Sequence, residues 1–404
     1  MAFWSFPCTS NGVVYFPSWN GYLYAVNAIN GALIWKQNLS DLTGLKGTGI
    51  VANVNVTVSR STPTVDDNLL IVGIYGPAVV IAVNRLNGRL VWSRQLDPRP
   101  RALITMSGTI YLGSFYVGIS SLEEALPADK CCTFRGSLVK LDVRTGAISW
   151  QTFMLPDNGG KLGAPPEVLK CQEEQNNQTT KPDHPDQCIG PEAPMLLTIY
   201  ANGTIRDVVV AVQKSGFAWA LNRDNDPFGI RNIGKKFTED AVFLQLAGPG
   251  RAEGGGQWGA ATDGRRVYTN IANSNRVNFT LAPARQTTTA GAWVALDAYT
   301  GEILWSTANP SNETAHAPHG SVAPNGLIYA MDTNAGSILW SYNTGSTVYG
   351  GISEVMGVFI LEMDIVLASR RGSTLHGLRE LHSMLSVLSE TLVSMNRLKM
   401  STKK

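Results

Sequence analysis

The chain has 404 residues with 33 Lys and Arg against 31 Asp and Glu, a formal charge of +2, and only 16% charged residues. That balance gives no basic field for a nucleic-acid partner. No stretch is long and apolar enough to span a bilayer, and Met1-Ala-Phe-Trp-Ser-Phe-Pro7 lacks the basic and apolar regions of a signal peptide.

In chain order, one phrase recurs: an apolar strand, an Asx turn with Gly, a second strand and a closing Trp. It runs from Gly21 to Trp35, Val80 to Trp92, Gly136 to Trp150, Gly291 to Trp305 and Gly326 to Trp340. Gly31, Gly88, Gly146 and Gly301 suit the positive-φ corner of a short hairpin. Asn27, Asn84, Asp142 and Asp297 end a strand, where their side chains can accept from nearby backbone N–H groups. A Trp at one site per unit can bury the seam to the next unit.

From Trp35 to Trp92 is 57 residues and from Trp92 to Trp150 is 58. That length holds about four short strands with their turns, one blade of a β-propeller. Two more strands of the second unit are visible at Ser61-Thr-Pro-Thr-Val65 and Asn68-Leu-Leu-Ile-Val-Gly73. Before residue 350, Gly recurs every few residues and no helical period is sustained, which disfavours a helical or leucine-rich solenoid. The expected fold is all-β, a propeller of four-stranded blades over residues 1–351.

Other features bear on compartment. Glycosylation sequons stand at Asn38, Asn55, Asn177, Asn202, Asn278 and Asn312; turn-rich β proteins also generate such triplets by accident. Cys171 and Cys188 bracket a polar, Pro-containing loop, 171–188, which reads as an exposed insertion closed by a disulfide. The preferred reading is an extracellular glycoprotein whose leader is missing.

The phrase Ala-x-Asx-x-x-(Thr/Asn)-Gly-x-x-x-Trp resembles the tryptophan-docking repeat of pyrroloquinoline quinone (PQQ) dehydrogenases, eight-bladed propellers that oxidise alcohols or sugars. Leu70-Ile-Val-Gly-Ile-Tyr-Gly76, Gly113-Ser-Phe-Tyr-Val-Gly118, Cys131-Cys-Thr-Phe-Arg-Gly136 and Trp258-Gly-Ala-Ala-Thr-Asp-Gly264 are similar to the plant polyvinyl-alcohol-dehydrogenase-like branch. The resemblance implies PQQ and Ca²⁺ as cofactors and a small or polymeric alcohol or carbohydrate as substrate. It maps Lys214 onto the cation beside the quinone oxygens, where positive charge stabilises the developing oxyanion. It maps Trp258, after Gly254-Gly-Gly-Gln257, onto a ring near the quinone plane. Cys131 and Cys132 match a vicinal disulfide that covers the cofactor. The plainer alternatives are a solvated lysine, a core Trp and two buried thiols.

No metal-ligand set matches, and His316 and His319 have no acidic or Cys companions, so they read as a surface loop. The chain also departs from the family pattern. Only one copy, Gly216 to Gly229, lies between Trp150 and Trp305, and it lacks a closing Trp. Segments around 161–170 and 190–194, which in the family carry a metal ligand and the catalytic base, are short here. Trp305 to Trp340 is 35 residues, too few for four strands, so a blade has lost strands near Ala323-Pro-Asn325.

Residues 352–404 form a tail outside the family pattern. Leu378, Leu381, Leu385, Leu388, Leu392 and Met395 make an amphipathic stripe, a helix over about 374–400 that would offer 375–398 to a partner helix. Back-translating Gly357 to Ala368 and shifting the frame gives a strand of the Ile110-Tyr-Leu-Gly113 type, so the favoured reading is a frame-shifted end of the last blade. Two functions remain open: a PQQ-dependent alcohol oxidoreductase, inactive if the missing segments are essential, or a non-catalytic propeller binding a wall polymer or protein.

Overall fold

The computed structural model describes residues 8–46, 56–125, 134, 136–153, 194–201, 204–212, 216–223, 241–250, 255–256, 259–273, 275–310, 327–343, 347–355 and 358–364. Blade 1 is β1 (Cys8–Ser10), β2 (Val13–Ser18), β3 (Tyr22–Asn27) and β4 (Leu33–Asn38), followed by a short helix, α1 (Leu39–Thr43). Blade 2 is β5 (Thr64–Asp66), β6 (Leu69–Ile74), β7 (Val79–Asn84) and β8 (Leu90–Gln95). Blade 3 has β9 (Ala102–Leu103) pairing with β11, and the run β10 (Thr109–Tyr111), β11 (Ser114–Ser121), β12 (Ser137–Asp142), β13 (Ile148–Phe153). Blade 4 is β14 (Met195–Ala201), β15 (Thr204–Val212), β16 (Phe217–Asn222) and β17 (Ala241–Leu246).

Blade 5 is β18 (Ala261–Thr262), β19 (Arg266–Ile271), β22 (Ala292–Asp297) and β23 (Ile303–Ala308). A small ribbon, β20 (Phe279–Thr280) with β21 (Thr287–Thr288), is inserted between β19 and β22. Two strand pairs follow: β24 (Leu327–Met331) with β25 (Ile338–Asn343), and β26 (Thr347–Val355) with β27 (Val358–Asp364). Every blade is an antiparallel meander, and the fold is a β-propeller. β24 and β25 carry the last Trp-ended phrase. Position 351 falls inside β26, and the helical reading of 374–400 lies outside the described residues.

Blades 2, 3 and 4 bury both faces against their neighbours, and in blade 2 the inner strands accordingly read as almost continuous apolar runs. In blade 2, Leu70, Val72, Ile81 and Val83 pack towards blade 1 beside Tyr15, Leu23 and Trp35. Ile71, Val80 and Ala82 pack the other way, against Phe115, Val117, Val139 and Leu141 of blade 3. Blades 4 and 5 join through Val208, Val210, Val267, Ile271 and Val294. The join between blades 3 and 4 is thinner, with Tyr116, Leu138, Val209 and Leu221 fully buried.

The Trp-ended phrase is a seam device. Asn27 Oδ1 accepts from the Ile29 and Asn30 amides, and Asp142 Oδ1 accepts from Arg144 and Thr145, holding the hairpin shut. A β-bulge then follows at one register position: Ala25 faces Trp35, Ala82 faces Trp92 and Ala295 faces Trp305. The Trp35 indole donates to the Arg85 carbonyl of the next blade at 2.9 Å, Trp92 to Val143 at 2.9 Å and Trp305 to Thr333 at 3.0 Å.

Blade 4 departs from the sequence reading in an informative way. The register that pairs Ala with Trp elsewhere pairs Ala220 with Phe243, with the same bulge behind it. An aromatic residue does stand at the closing position, 21 residues after Asn222 where Trp35 follows Asn27 by eight. Phe has no N–H, so this seam cannot carry the indole hydrogen bond.

Candidate functional site

The two ends of the blades differ in character. At one end the Asx-Gly hairpins bond to the first turn of their own blade: Ala28 N–H to Gly12 O at 2.8 Å, Arg85 N–H to Asn68 O at 2.9 Å and Ala298 N–H to Arg265 O at 2.9 Å. At the other end lie the links from second to third strand and the passages between blades. Most of the buried polar side chains, among them Ser18, Ser59, Asp97, Glu123, Asn270 and Asn309, lie at this second end.

Between blades 1 and 2, Trp19 and Tyr75 place their ring centroids 6.3 Å apart, and the Arg60 guanidinium lies 5.4 Å from the Tyr75 centroid. Buried serines fix this segment. Ser59 Oγ donates to Gly73 O at 2.6 Å, and Ser61 Oγ donates to Met106 O at 2.8 Å. Asp97, 2% exposed, accepts from the Arg99 amide at 2.8 Å and its guanidinium at 2.9 Å. The Arg99 guanidinium in turn lies 6.0 Å from the Phe134 ring centroid. Glu123, 6% exposed, takes the Phe134 amide on Oε2 at 3.2 Å. A buried carboxylate requires such donors.

Of the residues singled out from sequence, Lys214, Trp258, Cys131, Cys132, Cys171 and Cys188 lie outside the described residues, as do Asn55, Asn177, Asn202, Asn312, His316 and His319. The chain to either side of four of them, Cys131, Cys132, Lys214 and Trp258, is described. Cys131 and Cys132 fall in the link between β11 and β12, and Lys214 falls in the link between β15 and β16. Trp258 falls in the passage from β17 to β18. Phe134, two residues beyond Cys132, is held by Glu123. Gly216, two beyond Lys214, accepts the Ala247 amide at 2.8 Å. A Cβ on Gly216 would stand 2.0 Å from Gly248 O, so only glycine lets these two backbones meet. Gly255 in the same passage accepts the Ala272 amide of blade 5 at 3.0 Å.

Asn38 caps α1, its Oδ1 accepting from the Ser40 amide at 2.8 Å and the Asp41 amide at 3.2 Å, whereas Asn278 is exposed. Sequence reasoning missed Glu123, Asp97, Arg99, Arg60, Trp19 and Tyr75. Their types carry no local signal, because burial of a loop carboxylate is decided by the neighbouring blade.

The Arg60 guanidinium beside the Tyr75 ring is of a type that suits a flat anion, whereas Arg99 is paired with the buried Asp97 carboxylate. A divalent ion needs several hard oxygen ligands. Among the described residues no group of three or more His, Cys, Asp and Glu side chains comes together. Asp97 is tied to Arg99 and Glu123 to the backbone. Among the described residues no set of hard oxygen ligands for such an ion is gathered.

A family model described as "Outer membrane protein assembly factor BamB" matches residues 3–162 and 245–383. The polyvinylalcohol dehydrogenase of Sphingopyxis sp. (strain 113P3) is 26% identical over 81% of this chain and 59% of its own length. That of a Pseudomonas species is 23% identical over 82% of this chain and 60% of its own length. The chain thus spans about three fifths of these relatives. The crystal structure of the quinohemoprotein alcohol dehydrogenase from Comamonas testosteroni superposes with a TM-score of 0.50 at 14% identity, covering 87% of this chain and 68% of that one.

Proposed function

Because the chain belongs to the PQQ_2 family of propellers and is PQQ alcohol-dehydrogenase-like, we propose that it binds pyrroloquinoline quinone at the polar blade end and oxidises an alcohol there. The observation that supports this reading is the close backbone approach of Gly216, in the link after β15, to Gly248, in the passage after β17. In this reading the Lys214 ammonium neutralises negative charge growing on a quinone oxygen, and the Trp258 ring covers one face of the flat ring system. Arg60 draws the anion towards the site. Glu123 positions the segment after Cys131 and Cys132 through the Phe134 amide. Bound quinone supplies a two-electron acceptor for the carbinol carbon. No step is routed through a metal, and no residue is assigned as base. The substrate class is a small or polymeric alcohol or carbohydrate, and the proposed compartment is extracellular.

Titrating PQQ while following Trp fluorescence, with and without Ca²⁺, tests the binding step, and dye-linked oxidation of secondary alcohols tests turnover. Stoichiometric binding weakened at least tenfold by Lys214→Ala is expected. Absence of both binding and turnover rejects the reading.

A second reading, a non-catalytic propeller that binds a wall polymer or a protein, is favoured by one observation. The family match omits residues 163–244, and the short stretches around 161–170 and 190–194 fall almost wholly in that gap. Polymer or protein binding in the absence of PQQ supports it; stoichiometric PQQ binding counts against it.

A further inference from the structure

Three seams obey one recognition rule, and its parts can be read off directly. An indole lies against the hairpin glycine of the next blade. A Cβ would stand 2.8 Å from Trp35 Cε3 if built on Gly88, 2.5 Å from Trp92 Cε3 on Gly146 and 2.4 Å from Trp305 Cε3 on Gly336. The indole N–H donates to the carbonyl of the residue after the Asx. The side chain two residues after the Trp then donates to a carbonyl of the same hairpin: Gln37 to Asn87, Arg94 to Gly146, Thr307 to Gly336.

Each half of this rule also stands exposed without the other, the hairpin in blade 1 and the Trp in β25. The blade 1 hairpin is built like the filled ones: Gly31 at φ 69°, its amide on Asn27 O at 2.9 Å, and Ala28 N–H on Gly12 O at 2.8 Å. Yet Ala28 is exposed, Ile29 is 91% exposed and Gly31 is only half-buried, whereas Gly88, Gly146 and Gly336 are buried. Among the described residues no donor reaches the Ala28 carbonyl. At the far end, Trp340 holds the seam register opposite Ala330 but is 45% exposed, with Leu339 at 64%, while Trp35 and Trp305 are 8% and 5% exposed.

We propose that Trp340 of one copy docks on the Asn27–Gly31 hairpin of a second copy, extending the seam between molecules. The occupant is a second copy because the same chain carries the matching donor and socket, unjoined to each other, and the rule linking them already closes three seams inside it. The contact is heterologous, so each pair still presents one socket and one Trp and growth continues head to tail.

Two variants separate the halves. Trp340→Ala removes the donor, and Gly31→Asn puts a Cβ where the ring must lie while Asn tolerates the left-handed backbone. In sedimentation velocity the parent protein should associate with rising concentration and each variant should remain monomeric. An equimolar mixture of the two variants should give a complex that stops at two chains. Trp340→Phe, a milder change that keeps the ring, should weaken association about three- to tenfold. Circular dichroism establishes that each variant folds. The proposal is overturned if the parent is monomeric up to about 100 μM while Trp340 fluorescence is that of a buried indole, the sign of closure within one chain. It is equally overturned if the parent stays monomeric with Trp340 exposed, or if the variants associate as the parent does.

Discussion

The Trp92 ring lies on Gly146 of the following blade so closely that a methyl group on that glycine would come within 2.5 Å of Cε3. Gly113, with φ 71° and nothing within 4 Å of a built Cβ, has the same backbone demand without the neighbour. Gly113→Ala should therefore cost about 1 kcal/mol, the left-handed penalty alone. Gly146→Ala should add about 1–3 kcal/mol of overpacking. Denaturant midpoints at unchanged m-value measure the difference, and equal losses would refute the seam account.

Trp150 stands in the same register as the other seam residues, opposite Lys140, yet its buried Nε1 has no hydrogen-bond partner. Trp92→Phe removes a bond to Val143 O and should cost about 1 kcal/mol beyond the packing change. Trp150→Phe removes a buried donor that is already unsatisfied, so it should be near neutral or stabilising. The comparison needs only two melting curves against the parent.

At the turn of blade 5, Asp263 Oδ2 accepts from the Tyr268 hydroxyl at 2.8 Å and the Arg266 guanidinium at 3.0 Å, and Arg266 also reaches Asn334 Oδ1 at 2.6 Å. Desolvation pushes the Asp263 carboxyl up, but the Arg265 amide, the Tyr268 hydroxyl and the Arg266 amide and guanidinium outweigh it and hold the group well below the usual carboxylate range. The unfolded chain then binds the proton more readily than the folded one, so this contribution is present above about pH 4 and is lost as pH falls further. Asp263→Asn should lower stability at neutral pH and reduce the acid-side slope. Urea titrations between pH 7 and pH 2 report both, and parallel curves would contradict the assignment.

If the chain passes through a glycosylating compartment, the two described sequons should behave differently. Asn278 is exposed and should carry glycan, whereas the Asn38 amide is engaged as the cap of α1 and should be poorly used. Site-resolved mass spectrometry after secretion from a eukaryotic host distinguishes them.

The propeller was legible in Trp35, Trp92 and Trp305 because each seam uses a short hairpin with Gly at a constant distance from its Trp. Phe243 escaped because an insertion separates it from Asn222, and spacing alone cannot carry register across such a gap. The site was legible only in part. Lys214, Trp258 and the Cys pair were reached through resemblance, while Glu123 and Asp97 look like ordinary loop carboxylates in one dimension. Glu123 is met by the Phe134 amide 11 residues on, a separation no local pattern carries, and the Arg99 that pairs with Asp97 two residues away gives no sign in one dimension that the carboxylate is buried.

The seam bond also sets an order of assembly. Trp35 finds its acceptor at Arg85, 50 residues downstream, and Trp92 finds Val143 after 51. A chain leaving the ribosome therefore always displays one undocked indole at its growing end until the next hairpin has emerged. The expected order of closure is blade by blade from the amino terminus, and a pause in translation just past a Trp would leave that ring open to whatever apolar surface is nearest.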